Sequence, residues 1–498
     1  MSIRGLKRLV PFLGPLLVLI FIVLRFYNVR LIAWPFQGGH WTGNAFSIDT
    51  KSQHPKPLQG SLSITTSNGD SGAIGEGTAE IISNSPSPTT PASEQKLQPS
   101  GQIQGLPEHP IYSNVEGVHR EVFSVSTTDK KYFLIEFGGQ EAMNPNIIPH
   151  PVLDDTWIIV AQQQKSSVKT SVWFAELVCN AVFKNGRLGC VNPPMILPIA
   201  ATSGDKCDGD LAYFTFSVGP HDARVFYGPR IPYAIYGSNS GYTCFGQWMQ
   251  DFRMLVDWGF ETFVEKEFRK ATELRRPAPY GHVEKNWFVF WDKHGEIYAH
   301  YDVAPKRVFA KLEYDGSVGQ DLAPLAAASD EICMAKYMPK VAVELESIHQ
   351  ATNSLSITLC KRWDPSCEPS DSNTFILTIF QHKSFYAFHS VYEPYVMVFQ
   401  QTEPFEIYGI SQKPIWIHGR GKLGEGKKPD FLVEESGSWN QTEMFYITSL
   451  SWKTHGQKYH GYSDDVLFIA FGIEDSKTAG IDIVAGDLLL DLGLCSTS

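Results

Sequence analysis

Three successive side chains, Glu284, Lys285 and Asn286, set a carboxylate, an ammonium and an amide side by side just before the aromatic run Trp287 to Trp291. A turn, Asp292-Lys-His-Gly295, then sends the chain back through Glu296 to Tyr301. Turn residues between two aromatic, β-prone runs predict a hairpin, because glycine supplies the left-handed backbone that such a return requires. Charged groups at the entrance of a buried hairpin are costly unless they serve a ligand or one another. They therefore point to a polar pocket on a β scaffold, with a solvated sheet edge as the alternative. Strand alternation sends Glu284 and Asn286 to one face and Lys285 to the other, so all three enter one pocket only if the backbone bends there.

The rest of the 498-residue chain must supply that scaffold. Aromatic residues make up 13 % of it, including 31 Phe and 12 Trp, which suits strands and also surfaces that stack on carbohydrate. A net charge of -11 argues against a nucleic-acid partner, since no broad basic face is available to neutralise phosphates. At the N-terminus, Arg4, Lys7 and Arg8 precede an apolar run from Leu9 to Leu24. This pattern predicts a cytoplasmic tail over 1–8 and a single-pass type II transmembrane signal anchor over 9–30. A cleaved signal peptide is the alternative, but Arg25, Phe26 and Tyr27 stand where small residues would mark cleavage. A short span suits thin early-secretory membranes and predicts Golgi residence with a lumenal body. All eight cysteines lie beyond the anchor, compatible with lumenal disulfides, and Cys360 with Cys367 is the expected local bridge. No cysteine or histidine spacing matches a zinc site, so a structural metal is not expected; no cofactor is assigned and a divalent metal is not expected. Asn440-Gln-Thr442 is the one unblocked glycosylation sequon.

Residues 31–106 are rich in Ser, Thr, Pro and Gly, cannot bury enough surface to offset ordering entropy, and read as a flexible stem. From 107 to 498 the chain alternates short apolar runs with turn residues. Strands are expected at Trp157 to Ala161, Ala212 to Phe216, Tyr233 to Tyr236, Trp287 to Trp291, Thr374 to Phe380, Tyr395 to Gln400 and Val466 to Phe471. Helical spacing is expected in Gln247 to Leu274 and in Asp321 to Lys340. The body is thus all-β with helical insertions. Strand pairs recur as about five units, starting near Asn144, Asp222, Glu284, Phe385 and Asp464.

Short polar motifs recur with those units. Asn144-Pro-Asn146 with Asp155-Thr-Trp-Ile-Ile-Val-Ala161 resembles the first-blade motif of inverting mannoside phosphorylases, and His221-Asp-Ala-Arg-Val-Phe226 looks like their Glu-Asp-Pro-Arg segment. Lys285-Asn286, Phe385-Tyr-Ala-Phe-His389, Phe405-Glu-Ile-Tyr-Gly409 and Leu467 to Asp475 echo later blades in the same order. The resemblance implies a five-bladed β-propeller with its site in a central funnel, as in those phosphorylases and the related mannosyltransferases. It makes Asp222 the catalytic acid. It also implies that Asn144, Asn146, Arg224, Glu284, Lys285, Asn286, His389, Glu406 and Asp475 line the pocket, with Tyr301 as a stacking candidate. Ala223 departs from the family, where proline is usual, and no clear set of phosphate-clamping arginines is present. With the anchor and stem, the layout is similar to that of a fungal Golgi β-mannosyltransferase.

On this reading one carboxylate, Asp222, manages the proton of the acceptor hydroxyl during an inverting displacement at an anomeric carbon. Arg224, on the same strand face, would pair with Asp222 or hold a donor phosphate. The expected partners are a nucleotide-sugar such as GDP-mannose and a glycan acceptor. A glycoside hydrolase or phosphorylase on the same funnel, and a non-catalytic glycan-binding propeller, are the alternatives. Asp208-Gly-Asp210 fits the metal–diphosphate motif of a Rossmann-like glycosyltransferase, but no alternating β and α units surround it. The scheme requires Asp222, Glu284 and Glu406 to share one cavity.

Overall fold

A computed structural model of the chain describes residues 115–164, 174–258, 267–342, 344–350, 352–386, 389–428 and 439–495. The expected tail, anchor and stem, and the start of the body at 107, lie outside these residues. Among the described residues no helix is long and apolar enough to cross a membrane.

The body is all-β, and its strands fall into successive antiparallel units. The first is Ala142–Pro149, Trp157–Gln163, Glu176–Lys184 and Arg187–Cys190, paired in that order. The second is His221–Tyr227, Pro232–Asn239, Phe245–Asp251 and Thr272–Leu274. The third is Phe288–Trp291, Ile297–Asp302 and Val308–Lys311. In the fourth, Glu346–His349 and Leu355–Thr358 both pair with the long strand Thr374–Tyr386, followed by His389–Gln400 and Ile407–Ser411. The fifth is Phe445–Trp452, Val466–Ile473 and Lys477–Val484. An early strand, Phe133–Glu136, pairs antiparallel with Lys477–Val484 and parallel with Arg187–Cys190, which ties the last unit to the first. Two strands of unlike sequence position are thereby stitched together by backbone hydrogen bonds, and the edges they would otherwise present are covered.

The expected hairpin forms over Phe288–Trp291 and Ile297–Asp302. Its turn closes with Asp292 N–H donating to the Glu296 carbonyl (3.0 Å), and Gly295 adopts φ 85°. Phe290 and Phe288 are fully buried, and Phe290 meets Phe399 and Phe405 edge-on at 5.1 Å each, which joins the third unit to the fourth. Edge-to-face pairs of this kind add about 0.5–1.5 kcal/mol beyond the area they bury. The helical expectation within Asp321 to Lys340 is met by Ala327–Tyr337.

Several expectations are corrected. Ala212 to Phe216 is not a strand but the end of a 3-10 helix, Gly209–Phe216, whose Phe214 packs against Phe245. Gln247 to Leu274 is not one helix: it holds the strand Phe245–Asp251, a 3-10 turn over Phe252–Met254 and the strand Thr272–Leu274. Gln247, Met249 and Asp251 are buried while Trp248 and Gln250 are less so, a period of two that the flanking Met254, Leu255 and Trp258 masked. The fourth and fifth units begin earlier than expected, at Glu346 and Phe445 rather than near Phe385 and Asp464, because Glu346–His349 and Leu355–Thr358 precede the strand that holds Phe385 and Phe445–Trp452 precedes Val466–Ile473. Both opening strands carry several Ser, Thr, Glu or His residues, so neither reads as an apolar run.

All eight cysteines are paired, as Cys179–Cys190, Cys207–Cys244, Cys333–Cys495 and Cys360–Cys367.

Candidate functional site

The first strands of the first two units lie side by side, and each is interrupted by a bulge where one residue turns left-handed. In the first unit that residue is Asn144 (φ 56°) and in the second it is Asp222 (φ 50°). Asn286, just before the third unit's first strand, has φ 64°, and Asp475, in the last unit's hairpin turn, has φ 44°. Asn and Asp tolerate this backbone better than other side chains, and such residues gather where the surrounding structure holds them for a purpose. Here Asn144 Nδ2 donates to Asp222 Oδ1 at 2.6 Å. Gly472, from the fifth unit, packs against the same amide: a Cβ there would stand 2.8 Å from Asn144 Oδ1.

Three further side chains of the first unit clamp the bulge. Gln162 Oε1 accepts from the Asp222 amide (2.9 Å), and Glu176 Oε1 accepts from the Ala223 amide (3.1 Å). Asn146 takes both sides of the next peptides, donating to the Ala223 carbonyl (2.7 Å) and accepting from the Val225 amide (3.2 Å). Arg224 donates to the carbonyl of Asp222 at 2.6 Å and lies beside the Tyr446 ring of the fifth unit. A narrow cavity then joins Asp222, Arg224, Lys285 and Asn286 with His221, Gln247, Trp287 and Phe245.

The electrostatics of this region are unusual for a sheet interior. Burial lowers the pKa of the Lys285 ammonium, opposed by the charge of Asp222 and reinforced by Arg224. Burial, with the charge of Lys285, brings Lys383 down to about 8, while Asp475 opposes. Burial, then the nearby Asp222 and Glu474 charges, lift Asp475 to about 7 against the pull of Lys383. Burial lifts Glu176 to about 8; the Ala223 hydrogen bond opposes this and Asp222 adds to it. Burial brings His349 down to about 3, with Lys383 and Lys285 adding to the effect. Near neutral pH the region therefore holds the Lys383 ammonium together with two carboxyl groups, Asp475 and Glu176, that resist ionising. That balance suits an anionic ligand.

The structure brings Asn144, Asp222, Arg224, Lys285, Asn286 and Asp475 into one neighbourhood. It does not bring the others there as expected. Asn146 is spent on the backbone of the second unit and offers nothing to a ligand. Glu284 is buried outside that cavity: it accepts from the Gly281 amide (2.5 Å) and pairs with Arg276 (3.2 Å), while Lys285 and Asn286 line the cavity. Tyr301 is core, with its hydroxyl donating to the Arg275 carbonyl (2.8 Å) and its ring edge-on to Trp287. His389 is buried against the Thr442 carbonyl (2.9 Å) and Glu474 (3.6 Å). Glu406 sits opposite Gln400, at the far end of the strand that begins at His389. Eleven extended residues separate those ends, about 36 Å. The requirement that Asp222, Glu284 and Glu406 share one cavity fails. The carboxyl groups that do approach Asp222 are Asp475 and Glu176.

Glu176, Gln162, His349, Lys383 and Tyr446 were missed. The available signal was a charged or amide residue within an otherwise apolar strand, as in Glu176-Leu-Val and Gln381-His-Lys383. Asp208 and Asp210 are exposed, one just before and one at the start of the 3-10 helix. Among the described residues no group of three or more His, Cys, Asp or Glu could hold a metal ion. Asn440 is exposed. A larger cleft, about 1490 Å³, lies near Asp154, Trp157 and Lys453, but the buried carboxylate beside it, Asp482, is already held by Lys453, Ser124 and Ser126.

No protein-family model and no curated protein sequence matches the chain. Among solved structures, a β-1,2-mannobiose phosphorylase from Listeria innocua aligns over 74 % of this chain and 96 % of its own, at 11 % identity and a TM-score of 0.37. MPT-4, a mannose phosphorylase from Leishmania mexicana, aligns over 71 % and 88 %, at 12 % identity and a TM-score of 0.35. MPT-1, a GDP-Man-dependent mannosyltransferase from Leishmania mexicana, aligns over 72 % and 91 %, at 8 % identity and a TM-score of 0.34. Likeness at this level carries neither fold nor activity across to this chain.

Proposed function

We propose that the chain is an inverting glycosyltransferase, a mannosyltransferase that moves mannose from a nucleotide-sugar, GDP-mannose, onto a glycan acceptor. Its five sheet units are then the blades of a propeller, and the site is the funnel between them. The observation that carries this reading is the Asp222 carboxylate, held at 2.6 Å by Asn144 in a left-handed bulge, with Lys285 and Arg224 on the walls of the same cavity.

In the reaction an acceptor hydroxyl attacks the anomeric carbon from the face opposite the diphosphate. Its proton passes to Asp222 as the new carbon–oxygen bond forms. The bond to the phosphate oxygen breaks, and the diphosphate leaves with the electron pair, its charge met by Lys285, Arg224 and Lys383. Arg suits a planar phosphate contact and Lys a point contact. Positioned proton transfer of this kind contributes about 10²–10⁴-fold to rate. The four disulfides fit an oxidising lumen, and the reading includes a Golgi membrane location with 9–30 as the anchor.

Asp475 favours a second reading. A second carboxyl near Asp222, with its pKa near neutrality, is what a hydrolase needs to activate water, and the same cations would accept inorganic phosphate in a phosphorylase.

Transfer of label from GDP-mannose to mannobiose separates the two. Transfer with inversion, lowered about 10²–10⁴-fold in Asp222→Asn, supports the first reading. Mannose released from mannobiose into water, or mannose 1-phosphate formed with phosphate, without any transfer from GDP-mannose, would favour the second. An active enzyme indifferent to Asp222→Asn removes that residue from the mechanism.

A further inference from the structure

Four large aromatic rings are exposed on a 3-10 helix and a neighbouring pair of loops, all adjoining residues that line the Asp222 cavity. On the 3-10 helix Gly209–Phe216, Phe214 points inward to wall the cavity, while Tyr213 and Phe216 are 46 % and 65 % exposed. The second loop pair carries Tyr242 and Tyr280, each 44 % exposed, with rings 11° from parallel and centroids 6.5 Å apart. Both loops are pinned to the cavity wall. The Cys207–Cys244 disulfide anchors the first beside Phe245, which Phe214 contacts at 5.2 Å. The second is held by the Cys244 amide donating to the His282 carbonyl (3.1 Å) and the Glu284 amide donating to the Phe245 carbonyl (2.8 Å). Arg275 braces the Tyr242 ring from one side, its guanidinium carbon 4.7 Å from the centroid.

Scattered exposed aromatics need no explanation, but four on adjoining, covalently and hydrogen-bond-pinned loops around one cavity form a patch. Each ring has an apolar face, and the tyrosines add a polar tip. The apolar C–H face of a pyranose and its equatorial hydroxyls match that combination, whereas a protein or lipid partner would gain nothing from continuity with the cavity.

We propose that Tyr213, Phe216, Tyr242 and Tyr280 form an acceptor platform on which successive sugar rings of an oligosaccharide stack, so that the enzyme extends chains rather than single sugars. This rests on reading the Asp222 cavity as the transfer site, and it adds the length of the acceptor to that reading.

Titration calorimetry on the full chain with mannose and with mannotetraose tests it, the tetraose in both α- and β-linked forms. The expected result is that one tetraose binds more tightly than mannose by about tenfold or more, a gain of at least one stacked ring. Tyr242→Ala and Phe216→Ala should each weaken tetraose binding by about three- to tenfold and leave mannose binding unchanged, while Tyr242→Phe, which keeps the ring, retains most of it. Equal affinity for mannose and tetraose, no binding of any tetraose, or tetraose binding unmoved when Tyr242→Ala and Phe216→Ala are combined would overturn the platform. So would sedimentation showing that the alanine variants lose self-association instead, since the rings would then cover a second copy. Ring-dependent tetraose binding without transfer from GDP-mannose upholds the platform and sinks the transferase reading. Transfer that works equally well on mannose and tetraose does the reverse.

Discussion

Glu176 offers a test that needs no substrate. Its side chain is fully buried; one oxygen accepts from the Ala223 amide and the other has no hydrogen-bond partner. Burial, reinforced by the Asp222 charge and opposed by the amide and by Arg224, lifts its pKa from 4.5 to about 8. Below pH 4.5 the group is protonated whether the chain is folded or not, and it contributes no pH dependence. Between 4.5 and about 8 the unfolded chain releases the proton and the folded chain keeps it, so stability falls as pH rises. Above about 8 the loss is complete. At about 1.4 kcal/mol for each tenfold change in proton affinity, this rise in pKa corresponds to about 5 kcal/mol, of which about 3 has been lost by pH 7. Glu176→Gln keeps the acceptor for the Ala223 amide and cannot ionise. Urea unfolding across this pH range should therefore show the wild type losing stability relative to the variant, with the gap widest above pH 8. Asp222→Asn, by removing the adjacent charge, should shrink the loss. Parallel curves for wild type and Glu176→Gln would refute the reasoning, since they would mean that Glu176 ionises as readily folded as unfolded.

Three more outcomes follow from particular contacts. Asn146→Leu leaves the Ala223 carbonyl and Val225 amide buried without their partner, and should lower stability by about 2–4 kcal/mol in urea titration, with the loss of Asp222 positioning visible as a lower kcat for transfer. GDP affinity should decline as pH rises through about 8, where Lys383 gives up its proton, and this decline should vanish in Lys383→Met; calorimetry at several pH values checks it. Cys333–Cys495 joins residues 162 apart and Cys360–Cys367 residues 7 apart, so in the chain-entropy account their removal costs about 5 and about 2 kcal/mol, a ranking that paired Cys→Ser variants measure by thermal unfolding.

Local chemistry made much of the scaffold legible. The hairpin from Phe288 to Asp302 announces itself through aromatic runs around a glycine turn, because strand preference and turn geometry are properties of neighbours along the chain. The bridge Cys360–Cys367 was legible for the same reason: its ends are close in sequence. Where a segment satisfies two periodicities at once, as Gln247 to Leu274 does, sequence spacing cannot choose between them. Pairing with Pro232–Asn239 on one side and Thr272–Leu274 on the other made Phe245–Asp251 a strand.

The site divides along the same line. That Asp222, Arg224, Asn144 and Lys285 come together was readable from motif order and residue type. That Glu284 belongs to Arg276, that Asn146 serves the backbone, and that Glu406 stands a strand-length away was not. A side chain's type limits what it can bond to, but its partner is whichever group another sheet brings within about 3 Å, and that depends on bulges and strand register. The chain's covalent order thus determined its all-β character and its store of acids, amides and cations. Only the packing of the first unit against the second and fifth decided that Glu176 would be sealed from water, and that Asp222 would face Lys285 across a narrow cavity.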